Sequence, residues 1–543
     1  MKRTLISAVG FLFCAAAFAQ NLNPTLEVTN IYAREASGIE KPSQLLEVPD
    51  SVLHFNLDFD YAVNETPYQG AYEFKPYLVQ LRPQARPSKE GKLFLRGGAG
   101  YGLHPELTAV YTPVRTGKYH VNLYGDHHSY IGDYHNIVLD ADGVFSPDGT
   151  SRKGRNLRST VGADARVDWS RGILTADVQY RHMQATTLAL ENPSVHRVQA
   201  SAHVQNLPGT TQADYDLTAR LYALWSPEGG RELYSRTDGK LGAKFFGHYF
   251  RMGLQVETVS GQEGGLSCFH ITLPRYVRSG KRYSLAAGFK AAFILRSDAS
   301  FYPRRAGHIF PDVQASWTAI PENLVLYAAV TGGNDLITKD FLLSQNPFQM
   351  GFSGSNDVQI QRILAAVGAR GSIAGRFSYD VKGGYSWLDN IWLWGLDAFN
   401  DQPAVCYAST VHTVFVKADA LWKNDFLDIA GHFTYVKTLN KPSGATAGFV
   451  PFGRPLYRGD AHAFYNWGER IRAGVTADFR SPLNSAAGKL PGYCDLGLEG
   501  TFQMTPALGF WCKMGNVLNQ AIQRVPCYAE KGMYFSVGAS LSL

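Results

Sequence analysis

The densest group of side chains able to bind a metal or move a proton is Asp126-His127-His128, followed by Asp133 and His135. Neutral imidazole and carboxylate together form a donor set for a transition metal. An Asp/His pair can also activate water for hydrolysis. The spacing opposes both uses. Successive residues on a strand point to opposite faces, so His127 and His128 are badly placed to share one ion. The five residues are therefore expected to form a solvated polar cluster at a rim, with no metal, no cofactor and no catalysis. A second charged group, Arg152-Lys153-Gly154-Arg155-Asn156-Leu157-Arg158, reads as a basic loop able to meet phosphate groups.

The chain ends say which elements must carry these residues. Lys2 and Arg3 precede an apolar run from Leu5 to Phe18, and Ala17-Phe18-Ala19 offers small residues for cleavage before Gln20. This is a secretory signal peptide, residues 1–19. Its apolar stretch is too short to span a bilayer as a helix. Cys14 follows Phe13, where lipid attachment needs a small residue, so a lipoprotein is not expected. At the other end Met533, Phe535, Val537, Ala539, Leu541 and Leu543 alternate with Tyr534, Ser536, Gly538, Ser540 and Ser542. Period-two alternation ending on an apolar residue is the pattern of a last barrel strand.

Charged residues are only 18% of the chain and hydrophobic ones 45%, yet no helix-length apolar segment follows the leader. A membrane chain without such segments must pair its backbone between strands in a closed barrel. Two hairpins show the pattern. Val414, Val416, Ala418, Ala420 and Trp422 alternate with Lys417 and Asp419; across the turn at Lys423–Asp425, Leu427, Ile429, Gly431, Phe433 and Tyr435 alternate with Asp428, His432 and Thr434. Likewise Ala163, Ala165, Val167 and Trp169 alternate with Asp164, Arg166 and Asp168, before a turn at Ser170–Gly172. The reading is an all-β fold: a closed, transmembrane, antiparallel β-barrel of about 22 strands spanning residues 92–543. Tight turns at Arg115–Lys118, Ser279–Lys281, Pro321–Asn323, Gly468–Arg470 and Thr505–Ala507 are expected on the periplasmic side, with both termini. Longer links at Asp133–Arg158, Leu336–Asn356, Asn390–Ala408 and Leu439–Tyr457 are expected outside. Trp169, Trp317, Trp422, Trp467 and Trp511 sit near the tight turns, as an inner aromatic girdle would. Of the cysteines left after cleavage, Cys494 or Cys527 could pair with Cys406. Cleavage takes the net charge from +6 to +4, too little to suggest nucleic acid.

The closing segment Gly515-Asn516-Val517-Leu518-Asn519-Gln520, then Gly532 and the final strand, resembles the end of TonB-dependent receptors. That resemblance implies an outer-membrane barrel of Gram-negative type, surrounded by lipid and lipopolysaccharide, for uptake or passage of a solute. It departs at the front. Such receptors carry a plug domain of well over a hundred residues inside the barrel. Here residues 20–91 are proline-rich and acidic and lack that pattern. Within them Thr25-Leu26-Glu27-Val28-Thr29 resembles a TonB box, the short strand that pairs edge-on with TonB. Ser51–Ala62 and Tyr72–Leu81 alternate weakly and are expected to form a small hairpin at the periplasmic rim or in the lumen. The alternative function is a non-transporting barrel, a scaffold within an assembly or secretion complex with a periplasmic or lipoprotein partner.

Overall fold

The computed structural model describes residues 92–543 apart from 102, 208–212, 247, 262–263, 298–304, 349–355, 398–402, 441–448, 452, 469 and 485–487. The leader, residues 20–91, Thr25–Thr29 and the expected small hairpin lie outside the described residues. Every wall strand from Leu93–Gly100 to Tyr534–Ser542 runs antiparallel to its neighbours, and the last pairs with the first. Twenty-two strands close the wall, and a short extra strand, Phe449–Pro451, adds to the edge of Phe377–Asp397. At the seam the Leu93 N–H donates to the Leu543 carbonyl at 2.9 Å, and the Leu543 N–H donates back at 2.8 Å. No backbone edge is left for lipid to strand without a partner.

The alternation fixes which side faces lipid. Val161, Val178 and Val416 point outward and are about half exposed, while Lys417 on the opposite face is buried within the barrel. Asp419 shares the Lys417 face and meets His432 at 2.6 Å. The final strand obeys the same rule: Phe535 and Val537 point outward, and Tyr534 and Ser536 are buried inside. A closed wall with an apolar exterior spans a bilayer. The short turns are closed by their own side chains. Asn424 Oδ1 accepts from the N–H of Leu427 at 2.7 Å, Thr116 Oγ1 from Tyr119 at 3.0 Å, and Thr505 Oγ1 from Leu508 at 3.0 Å. Both chain ends of the barrel lie on this side.

Four expectations are corrected. Asp133–Arg158 is not a loop: the strands Tyr119–Leu139 and Phe145–Trp169 hold 21 and 25 residues and meet at a short turn. The basic segment Arg152–Arg158 is therefore strand. Asn390–Ala408 is likewise mostly strand, within Phe377–Asp397 and Pro403–Lys423. A strand needs only about 9–11 residues to cross, so both hairpins project beyond the bilayer, and polarity there looked like loop. Trp317, Trp422 and Trp467 do point outward near short turns, but Trp511 is buried inside under the Arg96 guanidinium, 4.5 Å away. Gly538 on the last strand and Gly98 on the first open its slot; a Cβ on either would stand within 2.5 Å of the indole. Finally, all five described cysteines are unbonded, and Cys406 is buried with its Sγ 3.6 Å from the Leu393 carbonyl oxygen.

The register carries a direct test. Val416→Arg should cost roughly 2–4 kcal/mol, because it puts a charge against lipid. Arg166→Ala, at a half-exposed lumenal pair with Asp168, should cost less than about 1 kcal/mol. Urea midpoints followed by the gel shift between folded and boiled protein would separate the two; equal losses would contradict the register.

Candidate functional site

The inner wall changes character towards the outer mouth. Below the mouth it carries ion pairs such as Arg236–Asp238 at 2.7 Å and, nearer the short turns, His203–Asp216 at 3.0 Å. Nearer the mouth it becomes aromatic and aliphatic, with Tyr130, Tyr134, Tyr222, Tyr234, Val259 and Ile294 buried in one cluster. Apolar wall facing a water-filled lumen would be unfavourable. It is covered instead by the described part of the following link, Thr338 to Phe348, which folds inward.

That link begins with the helix Lys339–Gln345. Thr338 is its N-cap, and its Oγ1 accepts from the Phe341 N–H at 3.1 Å. The next free donors are met by the wall. Glu232, 1% exposed, accepts from the N–H of Lys339 at 2.8 Å and of Asp340 at 3.3 Å. A carboxylate at a helix N-terminus is favoured by about 0.3–1 kcal/mol, more when partly buried. The Tyr222 hydroxyl donates to the same carboxylate at 2.8 Å. Asp340 pairs with buried Arg197, which also donates to Gln199 Oε1 at 2.9 Å. The helix is thus docked through a buried polar cluster, while Leu343 enters the apolar one.

The last link before the closing strand, residues 516–533, packs over the same region. Phe348 stacks on Tyr528 at 4.9 Å and meets Tyr134 edge-on at 6.0 Å. Tyr528 also bridges to Asn136 on the projecting hairpin and accepts from the Leu188 N–H at 3.2 Å. The segment used for the family resemblance has a local cause here. Asn516 and Asn519 adopt φ +46° and +49°, where Asn is among the few side chains tolerated. Asn516 Oδ1 accepts from the Gln520 N–H at 2.9 Å, and Asn519 Oδ1 from that of Met533 at 3.0 Å. Arg524 anchors the link through Glu530 and the Tyr493 hydroxyl, the latter at 3.1 Å.

His104, in the link after the first strand, ties this cover to the seam. Its Nε2 accepts from Lys531 Nζ at 2.7 Å, and its Nδ1 lies 2.9 Å from Ser536 Oγ and 3.3 Å from Glu106 Oε1. Burial pushes its pKa down to about 3, and the Lys531 charge adds to the effect. The imidazole is therefore neutral, with the proton on Nδ1.

The five residues singled out in the sequence are only partly brought together. Asp126 and His128 face inward, 3.1 Å apart. His127 is on the outward face, 2.8 Å from Ser159 Oγ and 3.1 Å from Ser129 Oγ. Asp133 pairs with exposed Lys153 at 2.9 Å. His135 sits beyond them beside Gly532. Among the described residues no three of His, Cys, Asp or Glu converge as a metal site. Sequence reasoning missed Glu232, Arg197 and the helix they hold; Thr338 followed by Asp340 was the available signal, a short N-cap inside a long link.

No known family matches the sequence, and no curated protein matches it. Solved structures do. The ferric-catecholate import receptor Fiu of E. coli K12, in its closed form, superposes with a TM-score of 0.59 at 10% identity, covering 84% of this chain and 82% of that one. The FrpB iron transporter of Neisseria meningitidis gives 0.61 at 8% identity, covering 84% and 83%. The Serratia marcescens hemophore receptor HasR, solved with its hemophore HasA and heme, gives 0.59 at 13% identity, covering 84% and 81%. At such identities the likeness is one of fold: the 22-strand receptor barrel.

Two tests follow. Glu232→Leu leaves two N–H groups and a tyrosine hydroxyl without their acceptor, at about 1–3 kcal/mol each. It should release the helix and raise single-channel conductance, with the gel shift of the barrel intact; unchanged conductance would show that the helix is held otherwise. His104 gives a pH dependence. Its folded pKa lies below the unfolded value of about 6.5, so the unfolded chain takes up the proton first. Stability is lost as pH falls from about 6.5 towards about 3. His104→Gln should lose less stability than the native chain between pH 7 and pH 4, measured by thermal unfolding.

Proposed function

We propose that this chain is a gated uptake barrel of the outer membrane, non-catalytic, admitting a solute of the size and kind of an iron chelate. The observation that carries the reading is the inward-folded helix Lys339–Gln345, held by Glu232 and Arg197 across an otherwise wide barrel. A barrel of this strand number has a lumen broad enough for a large solute or a plug. A mouth closed by docked polar groups can open without unfolding the wall, since water replaces the lost partners. The solute class comes from the fold neighbours, named as receptors for ferric catecholates, iron and hemophore-borne heme.

In this reading residues 20–91 stand in for a plug domain, in the lumen or at its periplasmic mouth. They carry ten Asp and Glu against six Lys and Arg. They join the wall at Lys92, beside Leu543, on the periplasmic side. Thr25–Thr29 is the strand offered to TonB, and lipopolysaccharide packs around the outer wall. Deleting Thr25–Thr29 should abolish uptake of a ferric catecholate and leave the folded barrel in the outer membrane. Deleting residues 20–91 should raise conductance and antibiotic sensitivity. Uptake unaffected by the first deletion would remove the energised step. Loss of a co-purifying partner, with conductance unchanged, would instead identify a scaffold.

A further inference from the structure

The short turns carry charge unevenly around the ring. Over one arc, from the turn after Glu106–Arg115 to the turn before Tyr283–Arg296, Arg115, Lys118, Arg171, Lys244, Lys281 and Arg282 are all exposed. Among the described residues no carboxylate is exposed in the turns of this arc, and the stretch between Leu207 and Ala213 adds no acid in sequence. The nearest carboxylates sit one level inside the wall. Asp168 is held there by Arg166 at 3.0 Å, and Asp214 accepts from the Tyr249 hydroxyl at 2.6 Å. The rest of the ring is balanced. Arg376, Lys423 and Arg470 are offset in number by Glu322, Asp425 and, in sequence, Glu469. The surplus is therefore positive, and it is confined to one side of the periplasmic rim.

The chain that enters the wall at Lys92 has the complementary charge. Residues 35–73 hold eight Asp and Glu against the single base Lys41. Lys92 stands at one end of the arc: its carbonyl accepts from the Thr112 N–H at 2.8 Å, on the strand that ends at Arg115. From there to Arg282 the rim crosses about nine strand spacings of about 4.8 Å, roughly 45 Å. The residues between Glu73 and Lys92 span up to about 60 Å when extended, so the acidic stretch can reach every cation of the arc. A chain tethered this way meets the arc at an effective concentration near the millimolar range. Lipid headgroups, by contrast, surround the whole ring and give no reason for cations on one arc alone.

We propose that this basic arc is the docking surface of the chain's own acidic stretch, residues 35–73, which lies along the periplasmic rim. The proposal rests on the reading of residues 20–91 as the stand-in for a plug, and it fixes the rim, not the lumen, as their seat. Contacts between exposed charges are individually weak and screened by salt, so the stretch can be lifted off one pair at a time. Thr25–Thr29 lies on the far side of it from Lys92. A pull there would clear the arc before tension reached the wall.

The test uses the full chain in nanodiscs of phosphatidylethanolamine, treated with a carbodiimide, which joins a carboxylate to an amine with no spacer. Linked peptides are then read by mass spectrometry. Residues 35–73 should couple to Lys118, Lys244 and Lys281 over Lys423. The yield should fall roughly tenfold between about 0.05 M and about 1 M salt, where the Debye length shrinks to roughly 3 Å. The double variant Arg171→Gln, Arg282→Gln leaves the reporting lysines in place and should lower the yield by roughly two- to fivefold. Arg470→Gln, the same change on the balanced side, should not. The gel shift of each variant reports its folding. Coupling of the native chain to Lys290 and Lys417 inside the wall would overturn the proposal, as would coupling spread evenly to Lys423 or no coupling at all. Loss of the cross-links on adding phosphatidylglycerol would also overturn it, because the arc would then be a lipid site. Uptake does not enter these measurements. Cross-links in a barrel that fails to take up a ferric catecholate would count against the uptake reading alone, and uptake without cross-links against this one alone.

Discussion

Everything in this molecule depends on closing the backbone ladder. In a bilayer an unpaired N–H or carbonyl has no water to turn to, and each costs several kcal/mol. The seam between Leu93–Gly100 and Tyr534–Ser542 is therefore the decisive contact. It joins the two ends of the described chain, so no part of the ring is complete until the last strand exists. The alternation of outward Val and Leu with inward charge follows from it: once the ring is closed, one face meets lipid and the other meets water.

Closure creates a second problem, a wide lumen, and the interior answers it at the outer end. There the wall turns aromatic, and the segment from Thr338 to Phe348 folds in to cover it. The helix is fixed chiefly by polar contacts: Glu232 at its N-terminus and Arg197 on Asp340. Breaking a buried pair by mutation is costly because one charge is stranded. Withdrawing the whole helix strands nothing for long, because water enters with its departure. The same cluster therefore resists mutation yet permits movement.

Much of this was legible in the sequence because period two is a strong signal when lipid enforces it on every strand. Val416 against Lys417 and Phe535 against Ser536 could be assigned without coordinates. The strand number and the side of each short turn followed from counting the same pattern. What failed has physical causes. Beyond the bilayer the outward face no longer needs to be apolar, so the upper parts of Tyr119–Leu139 and Phe145–Trp169 looked like loop. Trp511 was placed by its distance from a turn, whereas its direction is set by glycines on two other strands, Gly98 and Gly538. In the cluster Asp126 to His135, strand alternation separates His127 from His128. The helix that closes the mouth was missed because its partners, Glu232 and Arg197, are more than a hundred residues away from it.

The position of Lys92 has a mechanical consequence. A load applied from the periplasm through the preceding chain reaches the wall at Leu93, along the strand axis. Leu93–Gly100 is bonded on both sides, to Glu106–Arg115 and to Tyr534–Ser542. Force along a strand shears all of those bonds at once, whereas force across it would peel them one by one. The junction is thus oriented like a rope anchored along its length.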